Sequence, residues 1–437
     1  MRPPSLLACI VLLGAAAAWA QAPSSLPLAS LPDEEHLAAL LWEHSPDFAA
    51  ARARIASAQA DLTRSHLLPN PEADLSWNTL PIGPTNPPGL SRLGDVPNYN
   101  IGLSELIELG KRGPRQDAAR ATLSATALDS LASLRARTYD VLDRAAEVAT
   151  SEVRLSQLEA LAADAAKLSE LQRARQQHGD SAGLDVDRAL LEEEQLETSL
   201  GEERAHLSDA LLNCTRTAGL PCEPFGSRDT AAAFLSSRLS HAPAAAASTL
   251  EARPDLRSLQ AQEQSAQASL SLARHRWLPD PTVRLGYVRD QFVVSGNQKD
   301  SFFVGLSVPL TFFDHGQADA AAASASLESA RQTRELLHAQ AQRDVTTITS
   351  QLQAVQERRT HLRDQTLPLA ENVVKRLDAA VRAGGSSLQD LILARRSYSE
   401  LLLRAADLDL TAFHLTLELD RARAAGPEAP PSLRDAI

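Results

Sequence analysis

The sequence has few aromatic residues, no net positive charge and no long apolar run after its first 20 residues. Only 4% of its 437 residues are aromatic, which disfavours a core of bulky rings and favours long helices that pack through small side chains. The net charge of -12 argues against nucleic acid as a partner. No later run of consecutive apolar residues approaches the roughly 18 that a membrane-spanning helix needs. Any part of the chain that crosses a membrane must therefore do so as strands.

The first 20 residues have the pattern of a secretory signal peptide. Arg2 supplies the basic start, residues 6–18 form an apolar run too short to span a bilayer, and Ala18-Trp19-Ala20 is a cleavage site. A short membrane anchor is the alternative interpretation. The exported chain retains Cys214 and Cys222, which either form a disulfide across a short loop or remain free thiols.

Two glycine turns with the same internal spacing interrupt long, alanine-rich helical patterns. The first contains Gly179, Asp185 and Ala189, and the second contains Gly384, Asp390 and Ala394, 205 positions later. A glycine turn between two helical patterns is typical of the tip of a helical hairpin. Two such tips predict a chain that folds as two similar halves.

Alternation of apolar and polar residues predicts one β-hairpin in each half, at 71–107 and 282–311, with the last strand at 302–310. Each hairpin follows a matching helix stop, Leu68-Pro69-Asn70-Pro71 or Leu278-Pro279-Asp280-Pro281. Nine of the seventeen aromatic residues lie in or beside the hairpins, as in the aromatic girdles of membrane strands. A small soluble sheet is the alternative. The candidate membrane-facing residues are Trp77, Tyr99, Tyr287 and Phe302.

The predicted organisation is a signal peptide followed by two repeats. Its segments are the signal peptide 1–20, a first repeat 21–220 with its tip at 178–184, a linker 221–246, a second repeat 247–424 with its tip at 383–388, and a tail 425–437. The helical pattern before the second tip is expected to kink at Pro368. At about 1.5 Å per residue, the helix before each tip extends for roughly 100 Å.

These lengths predict a rod of antiparallel helices with four strands at one end and two tips at the other. Four strands cannot close a barrel, and open strand edges are not tolerated in lipid. Several copies are therefore expected to contribute strands to one barrel and helices to one tube.

Taken together, the motifs resemble the TolC-like outer-membrane efflux protein family over essentially the whole mature chain. The paired helix stops and the paired tips carry the resemblance. The segments 108–112 and 308–317 resemble the strand-to-helix junctions of its heavy-metal cation efflux branch. The implied fold is mainly α with a small β part, with long helical hairpins in two tandem repeats. Three copies would form an α-barrel and a twelve-stranded transmembrane β-barrel.

The resemblance also implies a function without catalysis or a cofactor. It predicts the exit duct of a tripartite efflux system, located in the outer membrane of a Gram-negative bacterium with most of the chain in the periplasm. The implied partners are two further copies of the chain, outer-membrane lipid, a periplasmic adaptor (membrane fusion) protein and an inner-membrane pump. Divalent heavy-metal cations are the cargo that the branch favours.

The family's functional residues carry over only at the tips. The candidate adaptor-docking residues are Gly179, Ser181, Leu184, Asp185, Gly384, Gly385, Ser386 and Leu388. Asp390 matches an aspartate that surrounds the narrow entrance in relatives, where three carboxylates would favour cations. Leu393 and Ser386 replace an acidic and a basic residue of some relatives, which indicates a gate held differently here. Helix N-capping, or a favourable charge near a helix N-terminus, is a second, compatible interpretation of Asp185 and Asp390.

Two other functions are alternatives to the channel. The segment Gly179-Asp180-Ser181-Ala182-Gly183 matches the nucleophile elbow of hydrolases, but that motif needs a strand before the serine, and here a helical pattern precedes it. A periplasmic coiled-coil structural or adaptor protein without a pore is the stronger rival, because such a protein needs no membrane strands. The histidines show no tight ligand spacing, so the sequence predicts no metal site.

Overall fold

The computed structural model describes residues 25–179, 182–239, 250–291, 298–424 and 426–437. The predicted signal peptide and the docking candidate Ser181 lie outside these residues. The first half contains β1 (Leu26–Pro27), α1 (Glu34–His44), α2 (Pro46–His66), β2 (Glu72–Asn78), β3 (Asn98–Leu106), α3 (Arg112–Gln177) and α4 (Gly183–Ala218).

The second half repeats this order after a short connecting region. The connection contains β4 (Cys222–Glu223) and α5 (Arg228–Leu239). There follow α6 (Pro254–Arg274), β5 (Thr282–Arg289), β6 (Asp300–Ser307), α7 (Gln317–His361), a π-helical turn (Leu362–Thr366), α8 (Leu367–Arg382), α9 (Leu388–Ala422) and α10 (Pro431–Arg434).

Equivalent elements of the two halves have nearly equal lengths. Helices α2 and α6 each have 21 residues, and α4 and α9 have 36 and 35. Helix α3 has 66 residues, and the segment Gln317–Arg382 has the same length. At about 1.5 Å per residue, each of these long segments extends for roughly 100 Å. Among the described helices, none is both long enough and apolar enough to span a membrane.

The expected kink at Pro368 takes the form of a π-helical turn just before the proline. Pro368 lacks a backbone N–H, and its ring crowds the carbonyl of Asp364, four residues earlier. The turn Leu362–Thr366 widens the helix there, so the chain passes the proline without ending.

The described strands β2, β3, β5 and β6 form one antiparallel sheet in the order β2-β3-β5-β6. Leu75 lies opposite Ile101, which in turn lies opposite Tyr287. The prediction of strand 302–310 was wrong in its limits, because β6 covers Asp300–Ser307. Asp300 already pairs with Arg289 at its start, and beyond its end Pro309 has no N–H to donate to a ladder.

The largest core lies where α1, α2, α5 and the C-terminal residues pack around the middle of α3. Ala145, Ala146 and Ala149 are fully buried there, which shows the close packing through small residues that the composition predicts. Cys214 and Cys222 form a disulfide, so the free-thiol alternative is wrong. The disulfide joins the end of α4 to β4, which pairs in parallel with β1.

Candidate functional site

One face of the four-stranded sheet is apolar on every strand. Its apolar members are Ala73, Leu75, Trp77, Tyr99, Ile101, Leu103, Val283, Leu285, Tyr287, Phe302, Val304 and Leu306. Charged residues lie on this face only at its two ends, where the described strands carry Glu105, Arg289 and Asp300. The ring centroids of Trp77 and Tyr99 lie 5.4 Å apart, and those of Tyr287 and Phe302 lie 5.7 Å apart. All four candidate membrane-facing residues are therefore on one face. Phe302 is 87% exposed in the single chain, so the face is open to a lipid or protein surface.

The opposite face of the sheet carries mostly polar residues and glycines, and its aromatic residue among the described strands is Phe303. The ring of Phe303 lies over Gly286 and Gly102, where no side chain opposes it. A Cβ atom at Gly286 would lie 2.5 Å from Cζ of Phe303, whereas one at Gly102 would lie 3.7 Å from it. Gly286 thus gives the ring the space to lie against the sheet.

A polar clasp joins the two halves where the strands meet the helices. Asp280, in the helix stop of the second half, accepts a 3.0 Å hydrogen bond from the backbone N of Leu109. It also accepts one of 2.7 Å from Nζ of Lys111. Both charged side chains are less than one-fifth exposed. The sequence indicated the helix stop that contains Asp280 and the strand-to-helix junction that contains Lys111 separately. It gave no signal that the two segments contact each other.

The second tip has a defined cap. Gly384 has φ +75°, a left-handed conformation that favours glycine. At the start of α9, the backbone N of Asp390 donates to Oγ of Ser387 over 3.2 Å, and Oγ of Ser387 donates to the Asp390 carboxylate over 2.7 Å. Ser387 is thus the N-cap of α9, and Asp390 instead supplies an exposed acidic charge in the first turn of that helix. The gating role stays a prediction.

The first tip is held differently. Gly179 also has a positive φ, of +82°. Helix α4 begins after Ala182, which gives no side-chain cap, and Asp185 lies 3.4 Å from Arg188 on the next turn. Asp185 therefore does not cap this described helix, but it supplies the acidic charge in the first turn of α4. Its carboxylate instead has a cationic neighbour within its own helix.

The docking candidates differ in exposure. Leu184 is 59% exposed at the first tip, whereas Leu388 at the second tip is only 6% exposed. Leu388 belongs to a small core between the two hairpins, together with Leu168, Ala189, Val381, Leu391 and Ile392. The structure therefore makes Leu184 available to a partner and uses Leu388 to hold the hairpins together.

Ion pairs near the tips link the two helical hairpins, and the sequence analysis missed them. Nε of Arg396 on α9 lies 2.6 Å from the carboxylate of Glu192 on α4, whose side chain is 7% exposed. Arg395 binds Asp378 on α8 at 3.3 Å and the backbone oxygen of Asp164 on α3 at the same distance. The pair Arg395-Arg396 directly follows the tip motif, but its partners become visible only in the folded chain.

The segment that matches a nucleophile elbow has a helix before it. Helix α3 ends at Gln177, two residues before Gly179, and the motif's serine lies outside the described residues. A nucleophile elbow needs a strand before its serine, and here the helix α3 lies in that position. Within the described ranges, no group of three or more His, Cys, Asp or Glu side chains is arranged to hold a metal ion.

Comparison with known proteins gives a family match in the second half of the chain and a similar curated sequence. Residues 245–414 match the family described as outer membrane efflux protein. The chain is 25% identical, over 319 residues, to the cobalt-zinc-cadmium resistance protein CzcC of Cupriavidus metallidurans. That alignment covers 72% of this chain and 74% of CzcC.

Two solved structures share the fold at low sequence identity. The outer membrane protein VceC of Vibrio cholerae is 19% identical with a TM-score of 0.71, covering 90% of this chain and 96% of VceC. The outer membrane channel CmeC of Campylobacter jejuni is 13% identical with a TM-score of 0.70, covering 100% of this chain and 96% of CmeC. The likeness therefore extends over the strands, the long hairpins and the connecting region together.

Proposed function

Because this chain belongs to the outer membrane efflux protein family, whose members are channels and not enzymes, we propose that three copies form one continuous exit duct. Each copy contributes four strands to a β-barrel in the outer membrane and two helical hairpins to a tube in the periplasm. The duct is passive, and an inner-membrane pump supplies the energy for export.

The observation that carries this proposal is the two-sided sheet. Its exposed face is apolar on all four strands, and its other face is mostly polar. In a membrane barrel the apolar face meets lipid and the polar face lines the lumen. A pore-free periplasmic coiled-coil protein has no use for such a face, since nothing in the described chain covers it. This argument favours the channel over that rival.

The first experiment is to extract the mature protein from isolated outer membranes in detergent and to measure its mass by light scattering. A trimer is the expected result. A soluble monomer or dimer recovered from the periplasmic fraction would remove the membrane strands and the channel together. It would favour the coiled-coil scaffold instead.

At the far end of the duct, we propose that the two tips dock the hairpins of a periplasmic adaptor protein. The exposed residues Gly179, Leu184, Gly384 and Gly385 support this assignment. Glycine at these turns lets the partner approach the backbone closely. Leu388 contributes indirectly, because the core that it joins fixes the second tip against the first hairpin.

We further propose that Asp390 forms a cation-selective ring at the entrance. Its carboxylate is exposed and is held by Ser387, so three copies would present three fixed negative charges around one axis. Asp390→Asn removes the charge and keeps an acceptor for Ser387, and it should lower the cation-to-anion permeability ratio in planar bilayers. Ser387→Ala is the matched control, because it removes the cap and keeps the charge. An unchanged ratio in Asp390→Asn would remove the gate assignment.

Divalent heavy-metal cations are the cargo that we propose. Support comes from the similarity to CzcC, whose name refers to cobalt, zinc and cadmium resistance, and from the acidic entrance. The test uses cells that have the pump and the adaptor but lack this chain. Restoring the chain should raise tolerance to zinc, cobalt or cadmium and leave tolerance to apolar organic toxins unchanged. Raised tolerance to the organic toxins with unchanged tolerance to the metals would contradict metal cargo. It would not contradict the proposed exit duct.

A further inference from the structure

The sheet has two open edges. Within the described chain, β2 pairs only with β3, and β6 pairs only with β5. Unpaired strand edges are costly in lipid, where no water replaces the missing hydrogen bonds. In the proposed channel both edges must therefore meet another copy, but the trimer alone does not fix which residues lie opposite each other.

The internal repeat supplies a template for that contact. Inside one chain, the last strand of the first half, β3, pairs with the first strand of the second half, β5. The equivalents of β3 and β5 are β6 and β2, which are the two open edges. Gly102-Leu103-Ser104 corresponds to Gly305-Leu306-Ser307, and Pro281 corresponds to Pro71.

We propose that β6 of one copy pairs antiparallel with β2 of the next copy in the register that the repeat defines. Leu306 then lies opposite Leu75, as Leu103 lies opposite Leu285 within the chain. Ser307 lies opposite Asp74, as Ser104 lies opposite Arg284. This assignment, which we call the seam, rests on the proposed channel and adds its residue-level contact.

The seam keeps the two faces continuous and tolerates Pro309. Val304 lies opposite Trp77 of the next copy, so apolar residues meet apolar residues. Pro309 takes the place of Leu106. The residue after Leu106, Ile107, donates from its backbone N to the backbone oxygen of Pro281 over 2.9 Å, so these two residues form a hydrogen-bonded pair. Since hydrogen-bonded pairs alternate along an antiparallel ladder, Pro309 falls at a position that needs no N–H.

Unequal exposure of equivalent residues supports the same contact. Leu278 is half-buried beside Gly110, at the junction between the halves. Its counterpart Leu68, on the β2 side, is 60% exposed. On the β6 side, Phe312 is 76% exposed and Phe313 is 93% exposed. A second copy docked in the proposed register covers both apolar surfaces at once.

A difference in charge distinguishes the seam from the contact inside the chain. Asp280 is paired with Lys111. At the seam, Asp280 is replaced by the uncharged Asn70, and Lys111 is replaced by Gly316 at the helix spacing of 205. Neither member of the ion pair is therefore repeated at the seam.

The test is disulfide cross-linking of Ser307→Cys combined with Asp74→Cys in one chain. The two positions lie on opposite edges of the same four-stranded sheet, three spacings of about 4.8 Å apart, and Ser307 lies four residues along β6 from Phe303, which shares a row with Asp74, so they are about 20 Å apart. That distance is too long for a disulfide within one copy, which needs Cα atoms within about 7 Å. A bond must therefore join neighbouring copies, and a closed ring yields a covalent trimer. The matched control is Ser307→Cys with Asn78→Cys, four residues out of register.

We expect mild oxidation to give covalent trimers in the Asp74 pair at a yield at least tenfold above that of the control. Equal or reversed yields in a protein that is trimeric by light scattering would overturn the register and leave the channel intact. Absence of any trimer in the unmodified chain would instead overturn the channel and the seam together.

A second variant tests the junction without cysteines. Ser307→Asp places a second carboxylate opposite Asp74 of the next copy and should lower the temperature at which the trimer dissociates in detergent, and adding Asp74→Lys should restore it. Restoration requires the two positions to be neighbours across copies, so its failure would contradict the seam even if the cysteine variants fold poorly.

Discussion

Replacing Gly286 with alanine should narrow the channel by lifting the ring of Phe303. The ring lies on the sheet face that we assign to the lumen, and the new Cβ atom would lie 2.5 Å from its Cζ atom. The same Cβ atom would lie 2.9 Å from the backbone oxygen of Ile101, which belongs to a paired strand. The ring is the part that can move, because it ends a flexible side chain.

The size of the movement follows from carbon–carbon contact distances. Non-bonded carbon atoms are most stable about 3.5–4.0 Å apart, so the ring must rise by about 1–1.5 Å. With one ring from each of three copies, the free cross-section shrinks at three points at the same level. We expect single-channel conductance to fall by roughly 10–30%, since current through a pore follows its free cross-section. The overpacking should also cost about 1–3 kcal/mol of stability per copy.

The assay is single-channel recording in planar bilayers, with two controls. Gly305→Ala lies on the same face, but its Cβ atom would only reach ordinary contact with Cβ of Arg284 at 3.7 Å, so its conductance should equal that of the wild type. Phe303→Ala should raise conductance, and Gly286→Ala should have no further effect in that background, because no ring remains to be lifted.

Two results would refute this reasoning. Equal conductance of the wild type and both glycine variants would show that Phe303 does not line the conducting path. A fall in Gly286→Ala that persists after removal of the Phe303 ring would show that the substitution acts through the strand itself. Either outcome would question the assignment of the polar face to the lumen.

Three further predictions concern the helical part of the chain. Cys222→Ser removes a disulfide of sequence separation 8, and urea unfolding should show a loss of about 2.5 kcal/mol from the loop-closure term; an unchanged midpoint would contradict this. Burial alone lowers the pKa of His414, but the hydrogen bonds and charges of Asp143 and Glu418 together outweigh it and raise the pKa above its ordinary value of 6.5. This stabilisation is complete below that ordinary value and is lost as pH rises through the raised pKa, so His414→Gln should destabilise the protein at pH 5.5 more than at pH 9. Leu184→Asp should reduce cross-linking to the adaptor, whereas Leu212→Asp, exposed on α4 far from the tip, should not; equal effects would remove Leu184 from the docking surface.

The elements that the sequence predicts best are those specified by local periodicity. Strand β2 has the predicted limits, Glu72–Asn78, because its side chains alternate without interruption. The two halves are recognisable because the tip motif recurs at constant spacing and helix length is a local property. Proline was harder to interpret. The alternation continues through Pro309 although the ladder ends earlier, and Pro368 is accommodated by a wider turn.

The contacts between elements are what the sequence could not provide. A leucine at a hairpin tip has the same local pattern whether it faces a partner or a core, and only the packing of the second hairpin shows that Leu388 is buried. Likewise, Arg396 has the pattern of a solvated helix face until Glu192 is placed beside it. The clasp of Asp280 and Lys111 joins residues 169 positions apart, beyond any local signal.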